Sequence, residues 1–327
     1  MNILIVNPGI IPAIKYGGTE RVIWYLGKEL AKMGHKITYL VSVGSYCDFA
    51  NVLFFNKEKS LSAQIPHFID IVHFNFTPTE PIEKPYIVTI HGNCNDFREF
   101  NINSVFVSKN HADRFGAEAF VYNGLDWTDY SKPNLFNKRD YFHFLGKAAW
   151  RLKNVKGAID VIKGTKDEKL KVLGGHRLNF KMGFRFTISP RIKFCNMVGG
   201  TEKNLLLEGS KGLIFPVRWN EPFGLALIES LYFGCPILGT PYGSLPEIVT
   251  AEVGFLSNSA DTLSKEVKNI EQFSRARCHE YASDAFNSKK MAELYLDKYQ
   301  RVLNGEQLNK LAPKLIEKQT KKLLVWE

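Results

Sequence analysis

Short apolar runs rich in β-branched residues recur along the chain and alternate with stretches of helical period. The first half reads as strands at Ile3 to Val6, Ile37 to Val41, Ile69 to Phe74, Tyr86 to Ile90 and Val105 to Val107, with a helix near Thr19 to Met33. Apolar runs this short, separated by helices, predict a parallel sheet with covering helices. The pattern breaks at Asn123-Gly-Leu-Asp and across the polar stretch Thr128 to Asp140, which contains Pro133 and reads as a linker. A second alternation follows. It has strands at Tyr141 to Leu145, Leu170 to Leu173, Leu213 to Phe215 and Pro236 to Gly239, and helices from about Val155, near Glu202 to Glu208 and over Phe223 to Phe233. Two doubly wound α/β domains are expected, 1–140 and 141–287. Ligands of such sheets lie at the carboxyl ends of the strands, so the loops there are where chemistry is sought.

From Asp261 onward the pattern is helical. Ser288 to Leu303 places Met291, Tyr295, Tyr299 and Val302 near one helical face, which should pack against apolar surface. The remainder, 304–327, carries lysines at 310, 314, 318, 321 and 322 among leucines, and reads as a solvated basic helix ahead of a contact with anionic lipid.

The length of 327 residues suits two cores better than one, and 45% hydrophobic content supplies the material for both. A net charge of +10 favours an anionic partner without choosing among nucleic acid, membrane and a phosphorylated ligand. The five cysteines are scattered and never spaced as C-x-x-C, so they predict reduced thiols rather than disulfides or zinc. The chain opens directly on a strand, and no apolar run reaches the roughly 18 residues of a spanning helix. A cytoplasmic protein is expected, with the inner membrane face as its peripheral location.

The most informative segment is Asn220-Glu-Pro-Phe-Gly-Leu-Ala-Leu-Ile-Glu-Ser, which follows a strand and leads into a helix. Pro222 suits a first helical turn. Free amides at Phe223, Gly224 and Leu225 would then face a phosphate or a sugar hydroxyl, with Gly224 permitting close approach. Glu229, two turns on, can accept hydrogen bonds from a diol such as a ribose. The competing reading is an ordinary capped helix with two solvated glutamates.

This segment resembles the E-x7-E motif of retaining glycosyltransferases of the GT-B fold, in particular family 4 (glycosyl transferases group 1), with Glu221 and Glu229 as its glutamates. Other segments resemble that family in the same order. They are Gly17-Gly18-Thr-Glu after the first strand, Val88-Thr-Ile-His91-Gly at a strand end, Val121-Tyr-Asn-Gly-Leu-Asp126, Gly239 to Val249, and the last helix at 288–303. The resemblance spans residues 2 to about 303. It implies two Rossmann-like domains facing across a cleft, 1–140 on the acceptor side and 141–287 on the donor side, with 288–303 crossing back and 304–327 a basic tail. It also implies Glu221 and His91 beside the donor sugar, and Gly17, Gly18, Phe223, Gly224, Leu225 and Glu229 on the donor nucleotide.

In the stretch Gly146-Lys147-Ala-Ala-Trp-Arg151-Leu-Lys-Asn-Val-Lys156-Gly157 the sequence departs from the family's Gly-Arg … Lys-Gly pattern. Lys156 matches the family lysine, while either Lys147 or Arg151 can stand for the arginine; two cations against a diphosphate are a good use of this charge. No Asp-x-Asp, P-loop or G-x-G-x-x-G is present, so a metal-held diphosphate is not expected and no cofactor is implied beyond the nucleotide diphosphate sugar itself. The resemblance implies retention at the anomeric carbon and a glycan or lipid-linked acceptor, with an anionic membrane surface as a further partner and nucleic acid not expected. An epimerase or phosphorylase of the same fold, or a non-enzymatic basic binding module, are the alternatives.

Overall fold

The computed structural model describes residues 1–13, 17–179 and 185–327, and it divides into two compact units. Unit 1 comprises Met1–Asp126 and Phe286–Gln319; unit 2 comprises Trp127–Ala285 and Thr320–Glu327. The units part at Asp126/Trp127, upstream of the expected boundary at residue 140, because Trp127 and Tyr130 pack on Tyr232 of unit 2 instead of forming a free linker.

Unit 1 begins with β1 (Asn2–Val6), α1 (Gly18–Lys32), β2 (Lys36–Val41) and β3 (Asn51–Phe54). It continues with β4 (Ile71–Phe74), β5 (Tyr86–Ile90), β6 (Ser104–Phe106) and α2 (Lys109–Arg114). The strands form one parallel sheet of order β3-β2-β1-β4-β5-β6. Ile3 to Val6 of β1 are fully buried, as a central strand covered on both faces requires.

Unit 2 contains β7 (Tyr141–Leu145), α3 (Val155–Lys163), β8 (Leu170–Leu173), the two-residue strands β9 (Leu178–Asn179) and β10 (Arg185–Phe186), and β11 (Ile192–Phe194). Then come α4 (Gly200–Glu208), β12 (Ser210–Phe215), α5 (Leu225–Tyr232), β13 (Ile237–Gly239), α6 (Leu245–Ile248), β14 (Gly254–Leu256), α7 (Ala260–Glu266) and α8 (Arg275–Ala285). Its parallel sheet has the order β11-β8-β7-β12-β13-β14, and β9 and β10 pair antiparallel beside it. The core on one face joins Phe142, Val172, Ile214 and Leu238 of four strands to Ile159 and Ile162 of α3.

The chain returns to unit 1 as α9 (Ser288–Leu303), which buries Met291, Tyr295, Tyr299 and Val302. Tyr299 OH lies 2.8 Å from His73 Nδ1 and Tyr295 OH 2.8 Å from Thr89 Oγ1, so a polar pair inside the sheet finds its partners on this helix.

The solvated helix expected over 304–327 is not formed; beyond the end of α9 at Leu303 the tail is irregular and tied down at both ends. Buried Leu308 and Leu315 anchor it to unit 1. There Asn309 Oδ1 accepts from Glu118 N and Ala119 N while its Nδ2 donates to Ile102 O and Ser104 O. Leu324 N donates to Arg218 O, Glu327 N to Asn258 O, and Trp326 packs on the unit 2 core. Pro313 interrupts the helical spacing of Leu308, Leu311 and Leu315, and hydrogen bonds to existing loops satisfy the backbone instead.

Candidate active site

In unit 2 the site starts where β7 ends. The loop after Gly146 passes through Lys147 and Trp150 to a single 3-10 turn, Arg151–Lys153, and Asn154 then reverses the chain with a positive φ of 53°. Asparagine tolerates this left-handed conformation, and its Oδ1 accepts from Gly157 N at 3.1 Å to cap α3, while Nδ2 donates to Pro216 O. The cap sorts the lysines. Lys153, before it, is directed at Glu221, whereas Lys156, one residue into α3, lies on the outer face with its side chain 82% exposed and 3.5 Å from Asp160.

Glu221 sits in the loop after β12 and is only 6% exposed. Its Oε2 accepts from Lys153 Nζ at 2.5 Å and from Trp219 Nε1 at 2.8 Å. The Lys153 ammonium also stands 5.2 Å from the Phe215 ring centre and 5.1 Å from that of Trp219, so a cation is held between two aromatic faces and a carboxylate. The backbone here is stitched across three segments. Arg218 N donates to Leu152 O, Leu324 N to Arg218 O, and Ser244 N to Glu221 O. Gly243, at φ 63°, lies flat against Glu221; a Cβ there would stand 2.2 Å from Glu221 N, so only glycine fits.

The helix carrying the second glutamate begins at Leu225, after Gly224 at φ 86°, later than the expected start at Phe223. Gly224 is the turn before the helix, Phe223 is buried beneath it, and Pro222 lies outside the first turn. Glu229 faces inward at 2% exposure. Its Oε1 accepts from Lys203 Nζ of α4 and, at 2.8 Å, from Tyr130 OH. Glu229 is thus a buried carboxylate paired with a buried lysine, unlike a solvated helix-surface glutamate. Next to it, Ser230 Oγ lies 2.8 Å from His143 Nε2, and Ser210 Oγ lies 2.7 Å from Nδ1, so the histidine ties α5 to β7 and β12. Burial holds the His143 pKa down at about 3, and the ring is neutral.

In unit 1, His91 follows β5 immediately. Asn75 donates through Nδ2 to Val6 O at 3.3 Å, which turns its Oδ1 to His91 Nε2 at 2.8 Å. The proton therefore sits on Nε2 and the lone pair on Nδ1. Burial lowers the His91 pKa to about 4, so the ring is a neutral polar group at neutral pH. Gly17 caps α1 and Gly18 opens it, beside a cavity of about 570 Å³ lined by Ile10, Pro12, Ala13, Gly17, Gly18, Thr19 and Glu20. A Cβ at Gly17 would stand 2.7 Å from Glu20 Oε2, so the glycine makes room for this carboxylate.

Of the residues singled out by sequence, Glu221 and Glu229 lie buried in unit 2, with Phe223, Gly224 and Leu225 between them. Lys147, 5.2 Å from the Trp150 ring centre, and Arg151 are exposed on the loop before α3, and Lys156 is exposed on that helix beside Asp160. Lys153 and Lys203, the cations on the two carboxylates, were not singled out; the Asn154 cap was the available signal for the first. Among the described residues no group of three or more His, Cys, Asp or Glu could hold a metal ion, and no helix is long and apolar enough to cross a membrane.

Over 95 residues the chain is 30% identical to an uncharacterized 41.2 kDa protein in the cps region of Klebsiella pneumoniae, a match spanning 27% of this chain and 26% of that one. The fold matches AviGT4, a glycosyltransferase involved in avilamycin A biosynthesis, with a TM-score of 0.76 at 19% identity, covering 93% of this chain and 98% of that one. Sucrose-phosphate synthase from Thermosynechococcus elongatus follows the same fold at a TM-score of 0.70 and 14% identity, over 93% and 100%. Anabaena HepE in complex with UDP and glucose does so at 0.65 and 14%, over 91% and 99%. Residues 126–285 match the family Glycosyl transferases group 1. The chain has the GT-B fold seen in these glycosyltransferase structures, and its residues 126–285 are similar to Glycosyl transferases group 1.

Proposed function

We propose that this protein transfers a sugar from a nucleoside diphosphate sugar to a glycan or lipid-linked glycan hydroxyl, with retention and without a metal ion. The observation that carries the reading is the pair of buried carboxylates, Glu221 and Glu229, each held by its own lysine within the residues similar to Glycosyl transferases group 1. Breaking the bond between the anomeric carbon and the β-phosphate oxygen builds negative charge on the leaving group, and cations preorganised there act mainly in the transition state. Lys153, already clamped at Glu221, is the cation for that role, with Lys147 or Arg151 beside it; Lys156, exposed on α3 next to Asp160, is not held at either glutamate. Glu221 holds donor sugar hydroxyls, Glu229 the ribose, and neutral His91 offers Nδ1 as an acceptor to the sugar. The acceptor hydroxyl forms the new bond on the face the leaving group vacates, and its proton passes to the departing phosphate oxygen. UDP and glucose in the HepE complex and the cps region of the Klebsiella relative support a nucleotide sugar and a polysaccharide-type product.

The test is a thermal-shift screen against UDP, GDP, ADP, CMP and their sugar conjugates, with and without EDTA, since a ligand of the native state raises its stability. A shift with one diphosphate that survives EDTA and is lost in Lys153→Met supports the reading. No shift with any nucleotide, or a Glu221→Ala, Glu229→Ala double variant with full transfer activity, would remove it.

A further inference from the structure

Helix α4 buries two polar residues beside Leu207. It turns Lys203 and Asn204 inward, at 8% and 6% exposure, and leaves Leu205 62% exposed. A buried lysine must be paired, and Lys203 is: its Nζ donates to Glu229 Oε1, with the Tyr130 ring centre 5.4 Å away. Tyr130 is fixed by edge contacts to Trp127 and Tyr232, which stack on each other at 4.3 Å and 4°. Asn204 Oδ1 is buried with no hydrogen-bond partner. A helix needs none of this to cover a sheet, and a leucine at 203 would serve packing better.

We propose that Lys203, with Tyr130, is the positioning pair for ribose recognition: both bind the same carboxylate oxygen of Glu229 and set the carboxylate for the nucleoside diol. This rests on the reading of Glu229 as the ribose carboxylate. When a nucleoside covers the site, a lone carboxylate would be sealed from water without compensation, whereas a carboxylate joined to Lys203 is sealed as a neutral pair and keeps its remaining acceptor capacity for hydroxyls. Lys203 is thereby specificity-determining: it makes the diol count.

The discriminating measurement is calorimetric titration of the full chain with UDP, GDP and ADP and with their 2′,3′-dideoxy counterparts. For the base that binds, wild type is expected to favour the ribose form by about tenfold or more, the scale of a charge-assisted hydrogen bond. Lys203→Met lowers affinity for the ribose form about tenfold and changes that for the dideoxy form by less than about twofold, so the preference collapses; Lys203→Arg largely restores it. Tyr130→Phe, which keeps the ring, loses roughly threefold, again confined to the ribose form, and decides the matter if Lys203→Met does not fold. Equal losses for ribose and dideoxy forms, or none in variants that remain folded at the titration temperature, would overturn the proposal and make Lys203 a structural counter-ion. Nucleotide binding that needs Lys153 but ignores Lys203 and Tyr130 removes this inference alone, whereas a wild type that binds no nucleotide removes the functional reading beneath it.

Discussion

Unit 1 sets neutral rings at its strands, with His91 on Asn75 and His73 between Thr89 and Tyr299, and its buried carboxylate, Asp126, is met by the partly exposed lysines Lys28 and Lys32. Unit 2 instead buries two full ion pairs, Lys153 on Glu221 and Lys203 on Glu229. The charge follows the same division. Of the 43 Lys and Arg and 33 Asp and Glu, 25 and 17 fall in unit 2 but 18 and 16 in unit 1, so unit 2 holds +8 of the surplus and unit 1 only +2. A surplus on the unit bearing the E-x7-E segment fits a polyanionic ligand there. The net charge of this chain is thus carried mainly by unit 2.

The largest effect is expected where a cation of unit 2 meets developing charge. Lys153→Met should lower kcat for sugar transfer by about 10² to 10³, the range for removing one preorganised electrostatic partner, while Lys156→Ala changes it by less than about twofold. Initial rates with the nucleotide sugar found in the thermal screen check this; equal losses in both variants would return the diphosphate role to Lys156.

Stability should divide the same lysines. Lys203→Met removes the buried cation on Glu229 and should cost about 3 to 5 kcal/mol in urea unfolding. Lys156→Ala removes only an exposed pair with Asp160 and should cost less than about 1 kcal/mol. Comparable costs would mean that Lys203 and Glu229 are far more hydrated than their burial implies.

The neutral groups answer to pH. His73, His91, His111 and His143 are held down at about 3, 4, 3 and 3 by burial, against an ordinary value of 6.5. Their folded pKa values are depressed, so the unfolded chain binds more protons between these limits. The stability they contribute is fully present above about 6.5 and is lost as pH falls toward 3 to 4. The thermal midpoint should fall steadily from pH 7 to pH 5, and His143→Gln should flatten that slope; a midpoint constant over the range would contradict burial of neutral rings.

The smallest expected effect concerns the tail. Trp326→Ala, which uncovers part of the unit 2 core, should cost roughly 1 to 3 kcal/mol of unfolding free energy. Deleting a solvated helix would cost almost nothing, so urea unfolding of this variant separates the two descriptions.

Much of this was legible in the chain. Strands β1, β2, β4, β5, β7, β8, β12 and β13 announce themselves because they are short, apolar and fully covered. The edge strand β3, with Leu53 and Phe54 partly exposed, has no such pattern, and β11 and β14 are only three residues long. Glu221 and Glu229 were found by spacing. The Lys-Gly pair at Lys156 is visible in sequence, while the approach of Lys153 to Glu221 follows from Asn154 in a left-handed turn and appears only once the backbone is built. Lys203 looks like any charged residue on a helix until α4 is seen to turn it inward. The tail misled because apolar and basic residues in irregular alternation suggest a surface helix, whereas its hydrogen bonds go to loops distant in sequence.

The most direct test of the central claim is titration of the wild type, Lys153→Met and Lys156→Ala with UDP, GDP and ADP in the presence of EDTA. One diphosphate should bind the wild type and Lys156→Ala alike, with affinity about tenfold or more weaker in Lys153→Met. Equal binding by all three proteins, or no binding by any, would contradict a donor site built on the lysine that holds Glu221.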